Sequence, residues 1–253
     1  MPRIHHATRE IQFKIVYYGP GLGGKTTNVE YIHHTSNPAH RGKLVSMATE
    51  SERTLFFDLL PVDLGKFKGY TVRIHLCTVP GQIARDDTRR LVLRNVDGIV
   101  FVVDSQSDRL DANIQSLRNL EANLLLQGDD PARMPLVVQY NKRDLPRAMS
   151  RALLRKELGV GGHVRQFEAC AVRGVGVFET FKAITKACMK VVGDPCDKPD
   201  GRSVSVLPVA KHSSMFPLAA LGPLADDAAR DYAERLGLEV PKSPPLPRVG
   251  ALR

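Results

Sequence analysis

The chain of 253 residues contains no tryptophan, and only 6% of its residues are aromatic. It has four cysteines, Cys77, Cys170, Cys188 and Cys196, with no C-x-x-C pair among them. That pattern excludes a disulfide framework and a cysteine zinc site, and it fits free thiols in a reducing compartment. No apolar run approaches the ~18 residues that would span a bilayer. The longest, Gly98-Ile-Val-Phe-Val-Val103, has the length of a buried strand. Met1-Pro-Arg-Ile-His-His6 lacks the apolar core of a signal peptide. Residue 2 is Pro, not Gly, and Gly250-Ala-Leu-Arg253 offers no prenylation cysteine, so no intrinsic lipid anchor is expected. The eight histidines (His5, His6, His33, His34, His40, His75, His163 and His212) lack ligand spacing and read as surface or packing residues. There are no internal repeats.

What is present is an ordinary globular balance, 43% hydrophobic and 25% charged. The net charge of +9 is uneven. Residues 1–194 hold 28 basic and 20 acidic residues, while 195–253 hold 8 and 7. A basic excess can serve nucleic acid or an anionic membrane. Without an extended Lys/Arg run or basic–aromatic interleaving, it reads better as a solvated surface plus a site for a polyanionic ligand. Composition changes at Gly193-Asp-Pro-Cys-Asp-Lys-Pro-Asp-Gly201, after which prolines recur to Pro247. The boundary is therefore placed at 194, with a domain over 1–194 and a proline-rich extension over 195–253. Within the extension, Ala225, Ala228, Ala229, Tyr232 and Leu236 share a helical face, predicting a short amphipathic helix at 224–237. Pro244-Pro-Leu-Pro-Arg248 looks like a polyproline ligand, but a disordered tail is the better reading.

Residues 1–194 alternate strands and helices. Strands are predicted over Ile11–Tyr18, Tyr70–Val79, Ile99–Val103 and Leu136–Tyr140. A helix is expected to start near Lys25. Helical stripes run through Leu110, Ile114, Leu117, Leu120 and Leu124, and through Phe178, Phe181, Ile184, Cys188 and Val191. The implied class is α/β, with a mostly parallel sheet, helices on both faces and one antiparallel edge strand. Its ligand should sit at the carboxyl ends of the strands.

Gly19-Pro-Gly-Leu-Gly-Gly-Lys25-Thr26 fits G-x-x-x-x-G-K-[ST] between a strand and a helix, the context this phosphate loop requires. Glycines let backbone N–H groups converge on phosphate oxygens, and the helix N-terminus adds its positive end. The expected cradle is Gly19, Gly21, Gly23, Gly24, Lys25, Thr26 and Thr27, with Lys25 on the outer phosphates and the Thr26 hydroxyl on Mg2+. Some 115 residues further on, Asn141-Lys-Arg-Asp144 places N-K-x-D just past a buried strand. The Asp144 carboxylate can accept from N1–H and the exocyclic amine of guanine, a pair that adenine does not offer, and the Lys142 stem can pack over the base. The two motifs together point to GTP/GDP in preference to ATP.

These residues make the chain resemble a Ras-like small GTPase (the P-loop NTPase fold), and more narrowly the bacterial MglA family of gliding-motility and cell-polarity GTPases. The likeness covers about residues 9–193. It rests on Lys14-Ile-Val-Tyr-Tyr-Gly-Pro-Gly-Leu22, Glu52-Arg-Thr-Leu-Phe-Phe-Asp58, Thr78-Val-Pro-Gly-Gln82, Gln139-Tyr-Asn-Lys-Arg-Asp-Leu-Pro146 and Gly174-Val-Gly-Val-Phe178. The resemblance implies that Thr54 meets Mg2+ and the γ-phosphate, and that the Gly81 N–H senses that phosphate. It implies that Gln82 orients the attacking water and that Arg53 is a finger supplied in cis, worth about 10³–10⁵ in rate. The Ala171 N–H is implied to contact guanine O6. A Roadblock-type, MglB-like activating protein is the implied partner, and GTP loading in the family shifts a strand beside the switches. Polar recruitment of a cytoplasmic monomer through partners is implied as well. Two departures stand out. Thr78 occupies the position of the Asp in the usual D-x-x-G, as in MglA proteins, so another group should compensate near Mg2+. Ile83-Ala-Arg-Asp86 replaces bulkier residues that touch partners. Asp104 ends a strand where a metal-holding Asp could sit, but in Ras-like proteins this position is structural.

The expected activity is GTP binding and slow hydrolysis to GDP and phosphate, operating as a switch through segments near 40–58 and 78–90. A hydrolysis-poor GTP-binding scaffold and, from charge alone, a nucleic-acid-linked P-loop protein are the alternatives. If the boundary at 194 is right, a chain ending there will bind GDP with the affinity of the full chain in equilibrium titration. A large loss of affinity would make the extension part of the nucleotide-binding fold.

Overall fold

The computed structural model describes residues 2–46, 58–80 and 86–192. The extension, including the expected helix at 224–237, lies outside the described residues.

The strands are β1 (Arg3–His5), β2 (Glu10–Tyr18), β3 (Val45–Ser46), β4 (Asp58–Phe67), β5 (Tyr70–Thr78), β6 (Gly98–Asp104), β7 (Leu136–Asn141) and β8 (Arg165–Glu168). The helices are α1 (Lys25–Thr35), α2 (Asp86–Leu93), α3 (Leu110–Leu126), α4 (Arg151–Glu157) and α5 (Val177–Val192). One mixed sheet runs β3-β4-β5-β2-β6-β7-β8, with β1 paired to the start of β2. The five strands β5, β2, β6, β7 and β8 are mutually parallel. β4 runs antiparallel to β5, and β3 to β4.

Strand β2 explains why the sheet needs two covers. Ile11, Phe13, Ile15 and Tyr17 fall on one face, in the cluster that also holds Val29 and Ile32 of α1 and Phe181 and Ile184 of α5. Lys14, Val16 and Tyr18 point to the other face, where the Tyr18 hydroxyl reaches Asn119 of α3 at 2.5 Å. All of these β2 residues are buried, so neither face can be left to water. Strand β6 is buried along its whole length, as an apolar run in a parallel sheet should be.

The α2 side is held by an arginine. Arg89 has no exposed surface. Its Nε donates to the Pro80 carbonyl at 3.0 Å, its Nη1 donates to Asn119 Oδ1 at 2.8 Å, and its guanidinium lies 5.2 Å from the centre of the Tyr18 ring. This polar anchor, with its cation–π contact, ties α2 to α3 and to the backbone just before Gly81.

The core strands, α1, α3 and α5 match the sequence expectation within a residue or two. One antiparallel edge strand was expected; β3 and β4 both are, and β1 runs antiparallel to β2 as well. β4 is the main element that hydrophobic periodicity does not reveal. Its sequence Asp58-Leu-Leu-Pro-Val-Asp-Leu-Gly-Lys-Phe67 carries Pro61 and Gly65, both strand-weakening signals. Pro61 is accommodated because only its carbonyl is needed, accepting from the Gly42 N–H at 2.8 Å. Gly65 sits at φ 81° in a bulge between Asp63 and Lys66, and its N–H donates to Asp63 Oδ1.

Gly98 marks the tightest approach of α5 to the sheet. A Cβ there would run into Cys188 Sγ and would stand 3.0 Å from Ile184 Cδ1. Gly98→Ala is expected to cost about 1–3 kcal/mol through overpacking, measured by urea unfolding. Adding Cys188→Ala should recover part of that loss, because the sulfur is the obstruction.

Candidate functional site

Loops converge at the carboxyl ends of β2, β6, β7 and β8, the place where an open α/β sheet takes its ligand. The first is the loop from Gly19 to Gly24. Gly19 stands at φ 146°, and a Cβ there would strike the Val102 carbonyl oxygen. Gly24 caps α1 at φ 96°, and a Cβ there would strike Asn141 Nδ2. Glycine is thus dictated at both positions by conformation and by space. The loop tip, Leu22, is 79% exposed at φ 60°. Gly21 offers its carbonyl to Arg109 Nη2 at 2.8 Å.

Lys25 opens α1 and is 6% exposed. Its Nζ donates back to the Pro20 carbonyl at 2.7 Å and to the Gly19 carbonyl at 3.1 Å, so the ammonium lies within the loop it serves. Burial pushes its pKa down to about 7; Arg89 and Arg109 push the same way, and Asp58 opposes them. Thr26 and Thr27 follow in the first turn of the helix.

The Thr26 hydroxyl donates to Asp58 Oδ2 at 2.7 Å. Thr78 donates its own hydroxyl to the same oxygen at 2.8 Å and accepts from the Asp58 N–H at 2.9 Å. Asp58 and Thr78 are both fully buried. The β4–β5 register, Leu59 opposite Cys77, is what brings them face to face. Sequence reasoning expected a group to compensate for Thr78 but did not identify it. The structure brings the Asp58 carboxylate, contributed by the adjacent antiparallel strand, to both Thr78 and Thr26. The signal available in the sequence was an acidic residue directly before the apolar Leu59-Leu60, inside a string already quoted for the resemblance.

The base end is built on Asn141. Its Nδ2 donates to the Gly23 carbonyl at 2.9 Å, and its Oδ1 accepts from the Ala171 N–H at 2.9 Å. A guanine O6 contact from Ala171 would therefore share that N–H with Asn141. Lys142 adopts φ 63° and sends its Nζ to the fully buried Asp104, 2.7 Å away. Asp104 also holds the Gln106 N–H at 3.2 Å and lies 3.8 Å from Arg109 Nε. Its carboxylate is thus a structural hub between the base motif and the phosphate loop. Asp144 is exposed, and a hydrogen bond from the Cys170 thiol holds its carboxyl below the usual range. It therefore stays ionised and acceptor-only at neutral pH, as recognition of two N–H groups requires.

Lys25, Thr26, Asn141, Lys142, Asp144 and Ala171 are accordingly gathered around one cleft edge. Arg53, Thr54, Gly81 and Gln82 lie outside the described residues. The oxygen donors Thr26 and Asp58 suit a hard divalent cation such as Mg2+. Among the described residues, no helix is long and apolar enough to cross a membrane.

A phosphate cradle and a base-reading loop on this sheet order define a Ras-like P-loop GTPase fold. The sequence model of the ADP-ribosylation factor family matches residues 60–188. The chain is 52% identical over 186 residues to the mutual gliding-motility protein MglA of Myxococcus xanthus, covering 74% of this chain and 95% of that protein. It is also similar to ADP-ribosylation factor-like protein 4D of Mus musculus, 32% identical over 46% of this chain and 57% of the relative. ADP-ribosylation factor-like protein 5 of Caenorhabditis elegans is 26% identical over 68% of this chain and 89% of the relative. The chain belongs to the MglA family of small GTPases.

The depressed Lys25 pKa predicts proton linkage. Phosphate oxygens brought to the ammonium favour its charged form and raise its pKa. Binding then takes up a proton wherever the free lysine is neutral, so affinity is level below about pH 7 and declines above it. The decline should be up to about tenfold per pH unit. Calorimetry of GDP binding between about pH 7 and 8.5, in buffers of different ionisation enthalpy, should register the uptake. No uptake would place the Lys25 pKa well above neutrality.

Proposed function

We propose that this protein is a GTP/GDP switch that hydrolyses GTP slowly with Mg2+ and acts in gliding motility or cell polarity. The observation that carries the reading is the Thr26–Asp58–Thr78 cluster beside a buried lysine at the phosphate loop. It supplies hard oxygen donors and a cation where the β- and γ-phosphates of a nucleotide would lie. Mg2+, when bound, neutralises charge on those phosphates. Thr26 would hold it, and Asp58 would take the part that the Asp of D-x-x-G plays elsewhere. Thr78 fixes Asp58 by donating its hydroxyl to the carboxylate and accepting from the Asp58 backbone N–H. Thr54 is the second candidate metal ligand and Gly81 the γ-phosphate sensor. Lys25 stabilises charge on the transferred phosphoryl group, Gln82 aligns the water, and Arg53 stabilises the transition state from within the same chain. The MglA likeness supports both the motility assignment and a Roadblock-type, MglB-like activating partner, with cell poles as the place of recruitment. The expected oligomeric state is a monomer. Residues 195–253 are assigned to an extension outside the GTPase domain of residues 1–194.

Single-turnover phosphate release from GTP, with and without a Roadblock-family protein, tests this reading. Gln82→Leu should slow release by at least about a hundredfold. Asp58→Ala should raise the Mg2+ concentration needed for half-maximal release by about 10–100-fold. If Gln82→Leu releases phosphate at the wild-type rate, the mechanism is wrong. If the wild type binds GTP but never turns it over, the protein is a nucleotide-holding scaffold.

A further inference from the structure

Beneath the two recognition loops runs a chain of buried polar side chains that nucleotide recognition leaves unused. Asn28 of α1, Gln139 of β7 and Thr180 of α5 have no exposed surface. Asn28 Nδ2 donates to Gln139 Oε1 at 2.9 Å, and Gln139 Nε2 donates back to Asn28 Oδ1 at 2.9 Å, closing an amide–amide pair. The second proton of each amide is also engaged. Asn28 Nδ2 donates to the Gly24 carbonyl at 2.8 Å, and Gln139 Nε2 donates to Thr180 Oγ1 at 3.1 Å. The Thr180 hydroxyl passes its own proton to the Gly176 carbonyl at 2.6 Å.

The surroundings are apolar: Val29, Ile32, Val137, Val177 and Ile184 belong to the same layer. Helix-on-sheet packing alone would be served there by Leu, Met and Val. Two primary amides in such a place are costly unless every proton is used, and here every one is. Both ends of the chain are informative. Gly24 is the last glycine of the phosphate loop, pressed against Asn141. Gly176 sits at φ 74° with a Cβ position that would strike the Glu168 carbonyl, at the stem of the loop that presents Cys170 and Ala171. The chain thus runs from the backbone that meets phosphate to the backbone that meets the base.

We infer that Asn28, Gln139 and Thr180 form a positioning relay that fixes the distance between the phosphate cradle and the guanine pocket. One nucleotide can then satisfy both at once. This rests on the guanine-nucleotide reading of the site. A fully satisfied amide network is stiff, because any displacement breaks bonds that no water can replace. Preorganisation of this kind adds affinity for the whole ligand without touching it. None of the three side chains is needed to contact the nucleotide.

The test uses the full chain and two ligands, GDP and guanosine, with affinities from equilibrium titration and thermal unfolding as the fold control. Wild type is measured first. Failure to bind GDP at all would remove the site assignment itself, whatever the relay does. Given binding, Gln139→Leu should weaken GDP by about tenfold or more while guanosine, which spans only one half, stays within about twofold. Thr180→Val is nearly isosteric and should weaken GDP by about threefold. It carries the same test if Gln139→Leu does not fold. GDP affinity within about twofold of wild type in a folded variant, with only the melting temperature lowered, would reduce the network to core structure. Equal weakening of GDP and guanosine would mean local damage to the guanine pocket, and that also overturns the relay.

Discussion

The Asn141 amide donates to the Gly23 carbonyl and accepts from the Ala171 N–H. The loops after β2 and β8 therefore meet on the residue that ends β7. The phosphate loop and the base motif take their relative places from that joint. Gly24 can carry no side chain because the amide lies against it. Lys142 and Asp144 are aimed by the turn that begins at Asn141, with the Arg143 N–H fastened to the Ala169 carbonyl at 3.1 Å. A parallel sheet can hold such a joint because β6, β7 and β8 end side by side. The loop after β2 reaches past β6, which lies between β2 and β7, to meet Asn141.

Several charged groups lie near this joint. Lys25, Arg89 and Arg109 surround the phosphate end, and burial with mutual repulsion lowers the lysine's affinity for its own proton. The carboxylates of Asp58 and Asp104 stand beside Thr26 and Lys142. The fully buried Arg89 adds a mechanical role. It attaches α2 to α3 and to the Pro80 carbonyl, immediately before the segment that carries Gly81 and Gln82.

Much of this was legible in the chain. Buried parallel strands such as Gly98–Asp104 announce themselves as apolar runs, and the phosphate and base motifs are contiguous strings whose chemistry is local. What could not be read is whatever depends on pairing between distant strands. β4 was hidden by Pro61 and Gly65, which argue against a strand until an unshared carbonyl and a bulge are seen to absorb them. Asp58 followed β4 into obscurity, because its partner Thr78 is 20 residues away and only strand register joins them. Asn28 and Gln139, separated by 111 residues, were invisible for the same reason. The embrace of Lys142 by Asp104 was not foreseen.

Lodging the acidic group on β4 instead of β5 has a consequence of its own. The neighbour of Thr26 is then set by how two antiparallel strands are laced, Leu59 against Cys77. A slip of two residues preserves which face each side chain occupies, so the core tolerates it better than a slip of one. The same slip would carry the carboxylate roughly 7 Å along the strand and out of reach of Thr26. Strand lacing and the Asp58 contact with Thr26 become a single variable, like a zip whose tab is also the key.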